Sequence, residues 1–198
     1  DNVSEGINAF EKTIAAAGLP EEQRLDIRRQ VGNLYLSQEN YVKCLEHMKV
    51  VLKEDDHIKA EDHIMVGYAY VQLGDFSKAR TQVETAISLS PKPTIVWLQM
   101  LSAIYYETKA YREGIDVVLQ ILTLNPNKPE AYWQQLAAFY SLAAQERKSL
   151  AVLELANHKA LFNKPKQYIH LANLFRYHRA PRYAAELLDY TIENQLIE

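Results

Sequence analysis

The feature that most constrains this chain is an internal repeat. Shifted against itself by 35 residues, the sequence realigns the same residue types in five blocks that begin at Leu25, Ala60, Ile95, Glu130 and Pro165. One column reads Tyr35, Tyr70, Tyr105, Tyr140 and Phe175. Aromatics make up 10% of the chain, so five in one column arise by chance about once in 10⁵ trials, and the period marks a structural unit. The residue three places earlier is small in every block: Gly32, Gly67, Ser102, Ala137 and Ala172. Just before it stands an aliphatic: Val31, Val66, Leu101, Leu136 and Leu171. Further on, Cys44, Ala79, Gly114, Ser149 and Ala184 form a second small column, followed four residues later by Met48, Val83, Val118, Leu153 and Leu188.

An aliphatic, a small residue beside it and an aromatic three places on share one face of a helix. The second small column lies on a second helix, and small side chains on both helices let the two backbones approach closely. Gly74-Asp75 breaks the chain between them in block two, with Glu39-Asn40 and Lys109-Ala110 in the same place in blocks one and three. Pro91 and Pro126 follow the second helices, where proline stops a helix without removing an internal hydrogen bond. Each block is therefore a helical hairpin, and because one hairpin cannot bury its own apolar face, neighbours must stack. The expected fold is all-α, a single solenoid over 1–198 with repeats at 25–59, 60–94, 95–129, 130–164 and 165–198.

Blocks four and five depart from the pattern. Ala144-Gln145-Glu146 replaces the Gly-Asp-aromatic turn, Leu161 stands in place of the closing proline, and Pro181 sits in the turn of block five. Those two hairpins are expected to be splayed or shifted. Residues 1–24 fit the second helix of a truncated upstream repeat, with Ala9 in the second small column, Ile7, Phe10 and Ile14 around it, and Gly18-Leu19-Pro20 ending it. Block five has no polar capping helix, so Leu187, Leu188, Ile192 and Leu196 are expected to leave apolar surface there. Such uncapped ends suit a homo-oligomer.

Composition excludes several classes. Nearly half of the 198 residues are hydrophobic, enough for a substantial core. The formal net charge is −3 with acids and bases interspersed, so the clustered basic excess of a nucleic-acid footprint is missing. No apolar run approaches the ~18 residues of a transmembrane helix. The single cysteine, Cys44, cannot form an internal disulfide and leaves the redox compartment open.

The chain resembles the tetratricopeptide repeat (TPR) family, best in block two, where Val66-Gly67-Tyr68-Ala69-Tyr70-Val71-Gln72-Leu73-Gly74-Asp75-Phe76-Ser77-Lys78-Ala79 leads to Ser90-Pro91. The resemblance covers residues 25–198, with a period one residue longer than the family's usual ~34. It implies a right-handed solenoid whose first helices line an inner, concave, protein-binding surface. By helical spacing, the first-helix positions left over from the packing columns include Arg29, Asn33, Tyr68, Gln72, Gln99, Tyr106, Gln134, Gln135, Asn173, Arg176 and Tyr177, with Leu36 and Ile64 among them. Tyrosines and amides suit a peptide, since they combine contact area with hydrogen bonds to backbone of either sense. Some family members grip terminal carboxylates with a set of basic and asparagine residues. Arg29 and Asn33 resemble one such pair, but Ile64 and Tyr68, then Gln99 and Ala103, occupy the next equivalents, so the set is absent.

Residues suited to chemistry do not assemble into a site. Asp55, Asp56, His57, Glu61, Asp62 and His63 cluster at a junction, but the histidines are six apart rather than the three or four of a helical zinc pair. The expected reading is a solvated acidic turn. There is no glycine-rich phosphate loop and no Gly-x-Ser-x-Gly elbow. Cys44 lies in a packing column and is expected to be buried and unreactive. No cofactor, metal or catalytic set is expected.

The later blocks narrow the resemblance. Trp97-Leu98-Gln99-Met100-Leu101-Ser102-Ala103-Ile104-Tyr105-Tyr106, the run from Asn125-Pro126-Asn127-Lys128-Pro129-Glu130 through Tyr132-Trp133-Gln134-Gln135, and Ala184-Ala185-Glu186-Leu187-Leu188 resemble repeat proteins of TonB energy-transduction systems in Gram-negative bacteria. That resemblance implies a periplasmic scaffold or adaptor docking on TonB-system components, the cytoplasm being the other compartment open to it. A self-associating module and a recognition domain of a larger enzyme are the alternatives.

Overall fold

The computed structural model describes residues 2–124 and 130–196. Pro126 and its neighbours at the junction of blocks three and four lie outside the described residues. Among those described are eleven α-helices and no strand. Helix α1 (Asn2–Ala15) precedes five pairs: α2 (Glu21–Ser37) with α3 (Tyr41–Glu54), α4 (Ala60–Gln72) with α5 (Phe76–Leu89), α6 (Ile95–Glu107) with α7 (Tyr111–Leu124), α8 (Ala131–Leu142) with α9 (Glu146–His158), and α10 (Pro165–Tyr177) with α11 (Pro181–Glu193).

The small columns are where the helices meet. All ten of their residues are buried. A Cβ added to Gly67 would lie 2.6 Å from Val83 Cγ2, and one added to Gly32 would lie 3.0 Å from Met48 Sδ. Gly32 and Gly67 occupy one column, and Met48 and Val83 another. The same small position on a first helix thus receives the same apolar side chain of the second helix in both blocks. Gly114 meets a different neighbour: a Cβ there would lie 2.4 Å from the Phe139 ring of α8. The aromatic column is covered from the second helix: Lys78 lies over the Tyr70 ring at 5.4 Å, Lys148 over Tyr140 at 5.6 Å, and Tyr183 stacks on Phe175 at 5.7 Å. The covering residue stands eight places after the aromatic each time.

The hairpin turns share one geometry. Glu39, Gly74, Lys109, Ala144 and Arg179 all have φ between 58° and 75°, in the left-handed region, at the same place in the repeat. In blocks one, two, four and five the next amide closes a ring back to the aromatic column: Asn40 N–H to Tyr35 O at 2.8 Å, Asp75 to Tyr70 at 3.0 Å, Gln145 to Tyr140 at 2.8 Å and Ala180 to Phe175 at 2.8 Å. With the shorter-range bonds Glu39 to Leu36, Gly74 to Val71, Ala144 to Ser141 and Arg179 to Arg176, this is the Schellman pattern that satisfies the last carbonyls of a helix. Asn40 and Asp75 then accept from the Lys43 and Lys78 amides and cap the following helix. The expected splaying of blocks four and five is therefore not found at their turns. Their departure lies instead at the end of the second helix. Ala160 and Gln195 adopt φ of 53° and 56°, and Leu161 N–H and Leu196 N–H bond back to Ala156 O and Thr191 O. A left-handed cap closes α9 and α11, whereas Asp55 and Ser90 end α3 and α5 in extended conformation. Leu161 and Leu196, the residues after these caps, pack onto the core.

The chain divides into two compact units, Asp1–Thr108 and Lys109–Glu198, with the division inside block three. In the first, α1 packs on α2, α3 on α4 and α5 on α6, while α2, α4 and α6 touch in sequence as a first-helix layer. Its central cluster joins Leu25, Cys44, Leu45, Met48, Val51, Val66 and Ala69. In the second unit α7 packs on α8 through Ile115, Val118, Leu136 and Phe139. Helices α8 to α11 share a larger cluster that includes Leu153, Tyr168, Leu171 and Phe175.

Two expectations about the ends are corrected. Ala9 is exposed, while Ile7 is buried. At the other end Leu187 is buried and Leu188 and Leu196 pack on the core. The open apolar surface there belongs to Ile192, Tyr183 and Tyr190, each more than half exposed. Substituting Gly67→Ala is expected to cost about 1–3 kcal/mol by overpacking against Val83, read by urea unfolding. Val83→Ala in the same background should recover part of the loss, and independent additive losses would contradict the proposed contact.

Candidate protein-interaction site

The first-helix layer of Asp1–Thr108 carries a groove of about 540 Å³, lined by Asn33, Leu36 and Ser37 of α2, Glu61, Ile64, Met65 and Tyr68 of α4, and Met100 of α6. Its floor is apolar and its rim polar. The exposed Tyr68 ring is held edge-on against Tyr41 at 6.4 Å, which fixes one wall. Asn33 and Tyr68 from the sequence-based list meet here, as do Leu36 and Ile64. Met65 and Met100 are outside that list, although they share one column of the repeat. Thioether side chains at such a surface adapt to different apolar partners. Gln72, Gln99 and Tyr106 are exposed elsewhere on the layer's helices.

Arg29 is not presented to solvent. Its side chain is 14% exposed and forms a forked pair with Asp62, Nε to Oδ1 at 3.0 Å and Nη2 to Oδ2 at 3.0 Å. It also pairs with Asp55 and, at 3.0 Å, with Asp26 one turn back on α2. Asp62 is 3% exposed and additionally accepts from the Lys59 amide at 3.0 Å. The acidic junction is thus only partly the solvated turn expected from sequence. Asp55 and Asp62 are internal anions tying α2, the end of α3 and the start of α4 together, because a guanidinium in the first-helix layer demands carboxylates. Burial alone would lower the Arg29 pKa, but the hydrogen bonds and charges of Asp62 and Asp55 outweigh it and hold it above its usual value. Asp55 is held below the usual carboxylate range, first by the His57 amide, which donates to Oδ1 at 2.7 Å, and then by Arg29. His63 bonds through Nδ1 to Gln82 Oε1 at 2.8 Å. Among the described residues no cluster of three or more His, Cys, Asp or Glu side chains is arranged to hold a metal ion.

In Lys109–Glu198 the first-helix residues separate. Asn173, Arg176 and Tyr177 are exposed on α10, with Tyr177 edge-on to His178 at 5.2 Å. Gln135 is half-buried. Gln134 lines a second cavity, of about 580 Å³, with Lys164, Lys166, Gln167 and His170. Cys44 is fully buried, and that burial pushes its thiol up to about 11. No described helix is long and apolar enough to cross a membrane.

The class of fold this geometry defines is a stack of helical hairpins of tetratricopeptide type. Residues 63–93, which span most of α4 and all of α5, match the family model described as Tetratricopeptide repeat. Among solved structures the chain shares its fold with MamA AMB-1, at TM-score 0.67 and 15% identity over 87% of this chain and 92% of that one. MamA MSR-1 follows at TM-score 0.62 and 17% identity over 86% and 95%. The structure titled MamA 41-end from Desulfovibrio magneticus RS-1 aligns at TM-score 0.61 and 18% identity over 85% and 93%. No curated protein sequence matches the chain significantly.

Asp62→Ala strands Arg29 and the Lys59 amide, and is expected to cost about 3 kcal/mol, measured by urea unfolding at neutral pH. The depressed Asp55 pKa means that its contribution is complete above the unfolded carboxylate value of about 4 and is lost as pH falls through the lower folded value. Asp55→Asn should therefore flatten the acid limb of the stability–pH curve, and an unchanged limb would contradict the pairing. Native chain should resist iodoacetamide at Cys44 and react on unfolding in urea, followed by mass spectrometry.

Proposed function

We propose that this chain is a non-catalytic protein-interaction scaffold that holds a peptide segment on the first-helix faces of its hairpins. The groove bounded by Leu36, Ile64, Met65, Tyr68 and Met100 carries the reading. Its volume falls within the ~300–1,000 Å³ of ligand-binding clefts, and its apolar floor with few polar groups at the rim is the usual composition of such sites. The tetratricopeptide match over residues 63–93 supports it, since three of the groove residues, Ile64, Met65 and Tyr68, lie within it. A random peptide library displayed against the chain should yield binders that lose about tenfold or more in affinity to an I64D/Y68A variant, because a few buried anchors carry most binding energy. Binders that hold the variant equally well would remove the groove from the reading.

On the resemblance of residues 97–188 to TonB-associated repeat proteins, we further propose that the partners are components of a periplasmic TonB-type transport system. A photo-crosslinking residue placed at Ile64 in a Gram-negative host should trap such a component. Crosslinks confined to cytoplasmic proteins would overturn both the compartment and the partner.

A second reading, self-association, is favoured by α11. Leu188 is only partly buried, whereas its column equivalents Met48, Val83, Val118 and Leu153 are all at 1% exposure or less, and Ile192 beside it is 57% exposed. A second copy packing there should give a concentration-dependent mass in sedimentation that I192E abolishes. A strict monomer at high concentration would discard this reading.

A further inference from the structure

The repeat places equivalent residues in blocks one and two and in blocks four and five, and one interblock position is closed in the first pair and open in the second. In the first pair Arg29 donates to Asp62 and pairs with Asp55. Three blocks later the same columns carry Gln134, Gln167 and Ala160. Gln167 retains half of the work done by Asp62. Its Oε1 accepts from the Lys164 amide at 2.7 Å and the Asn163 amide at 2.9 Å, as Asp62 accepts from the Lys59 amide at 3.0 Å. The other half is missing. Gln134 Nε2 is buried and has no hydrogen-bond partner, and no carboxylate stands where Asp55 and Asp62 meet Arg29.

In that place lies the cavity of about 580 Å³. A buried N–H without an acceptor costs about 1–3 kcal/mol, so the site favours an incoming oxygen acceptor. The charge of the walls says which kind. Lys166 stands in the column of Glu61, a reversal of sign, and Lys164 and His170 line the cavity with it. Glu130 is the one acid among the lining residues, at the start of α8. Two exposed ammonium groups with no ion pair among the described residues, and a buried amide N–H without a partner, are all donors, which matches a carboxylate.

We propose that this cavity takes the carboxylate of an acidic side chain on a bound peptide, the partner supplying in trans the acceptor that Asp55 and Asp62 supply internally in the first pair. The inference rests on the scaffold reading and names the chemistry of a second contact, in blocks four and five, for the same kind of ligand.

The test titrates an N-acetylated, C-amidated hexaglutamate peptide into the full chain and follows the Gln134 side-chain amide by NMR. Saturable shifts of that amide are expected. K164A/K166A should weaken the affinity about tenfold or more, and added salt should weaken it as well. Q167E keeps an acceptor for the Lys164 and Asn163 amides while placing a negative charge in the wall, so it should abolish binding with the thermal midpoint retained. No shift at Gln134, or full affinity in either variant, would overturn the proposal. An equal response of Gln134 to inorganic phosphate at the same concentration would overturn its assignment to a peptide side chain. If hexaglutamate fails while peptides selected on the whole chain still depend on Ile64 and Tyr68, the cavity assignment falls and the scaffold stands. If those peptides ignore the groove while hexaglutamate binds as described, the groove falls and the cavity stands.

Discussion

Close approach of two backbones inside each hairpin is the constraint on which the rest of the structure depends. Gly67 leaves 2.6 Å between a would-be methyl and Val83, and Gly32 leaves 3.0 Å to Met48. With the helices that near, the aliphatic residues Val31, Val66, Leu101, Leu136 and Leu171 are all buried, at 4% exposure or less. The aromatic three places on fills the flank of the contact. Only once the hairpin is packed this way do its first-helix residues project on the face opposite the second helix, where the groove of Leu36, Ile64 and Tyr68 forms. The groove is thus a by-product of core geometry, positioned by residues buried away from it.

That dependence explains what can be read from the sequence. The columns recur because every block must solve one packing problem, so helices, hairpins and most of the core are legible from periodicity. The polar groove residues Asn33, Ser37 and Glu61 face solvent, where packing imposes little, Leu36 and Met65 lie only partly against the core, and neither Met65 nor Met100 stands out within a single block. The burial of Arg29 escapes a sequence reading for a related reason. Helical spacing says which face a residue occupies but not whether an internal anion waits there, and Asp55 and Asp62 stand 26 and 33 residues further along the chain than Arg29. The cavity beside Gln134 is illegible for the same cause, since it is defined by the absence of those anions. The closure of α9 and α11 by Ala160 and Gln195 is hidden because neither residue is a glycine or a proline.

The two ends of the repeat series use one framework differently. Where Arg29 meets Asp55 and Asp62, an interblock space is filled by internal ion pairs that join α2, the end of α3 and the start of α4. Where Gln134 stands, the same space is left as a cavity with basic walls. A repeat allows this because the residues that build the hairpin and those that line the interblock space occupy different columns. One set can stay fixed while the other changes from an internal ion pair to an open cavity.

The left-handed residue at each hairpin turn carries a consequence for how such proteins are recognised at all. Glu39, Lys109, Ala144 and Arg179 hold the conformation that Gly74 adopts, and in blocks one, four and five the hydrogen bonds of the turn reproduce those around Gly74. The turn is specified by its bonding pattern, and residue type there is free to drift. Block two alone combines Gly74-Asp75 with Pro91, and residues 63–93 are where the family signature is detected. The other hairpins keep the backbone angles of block two without its letters, so their likeness to it is carried by conformation and hydrogen bonding rather than by residue type.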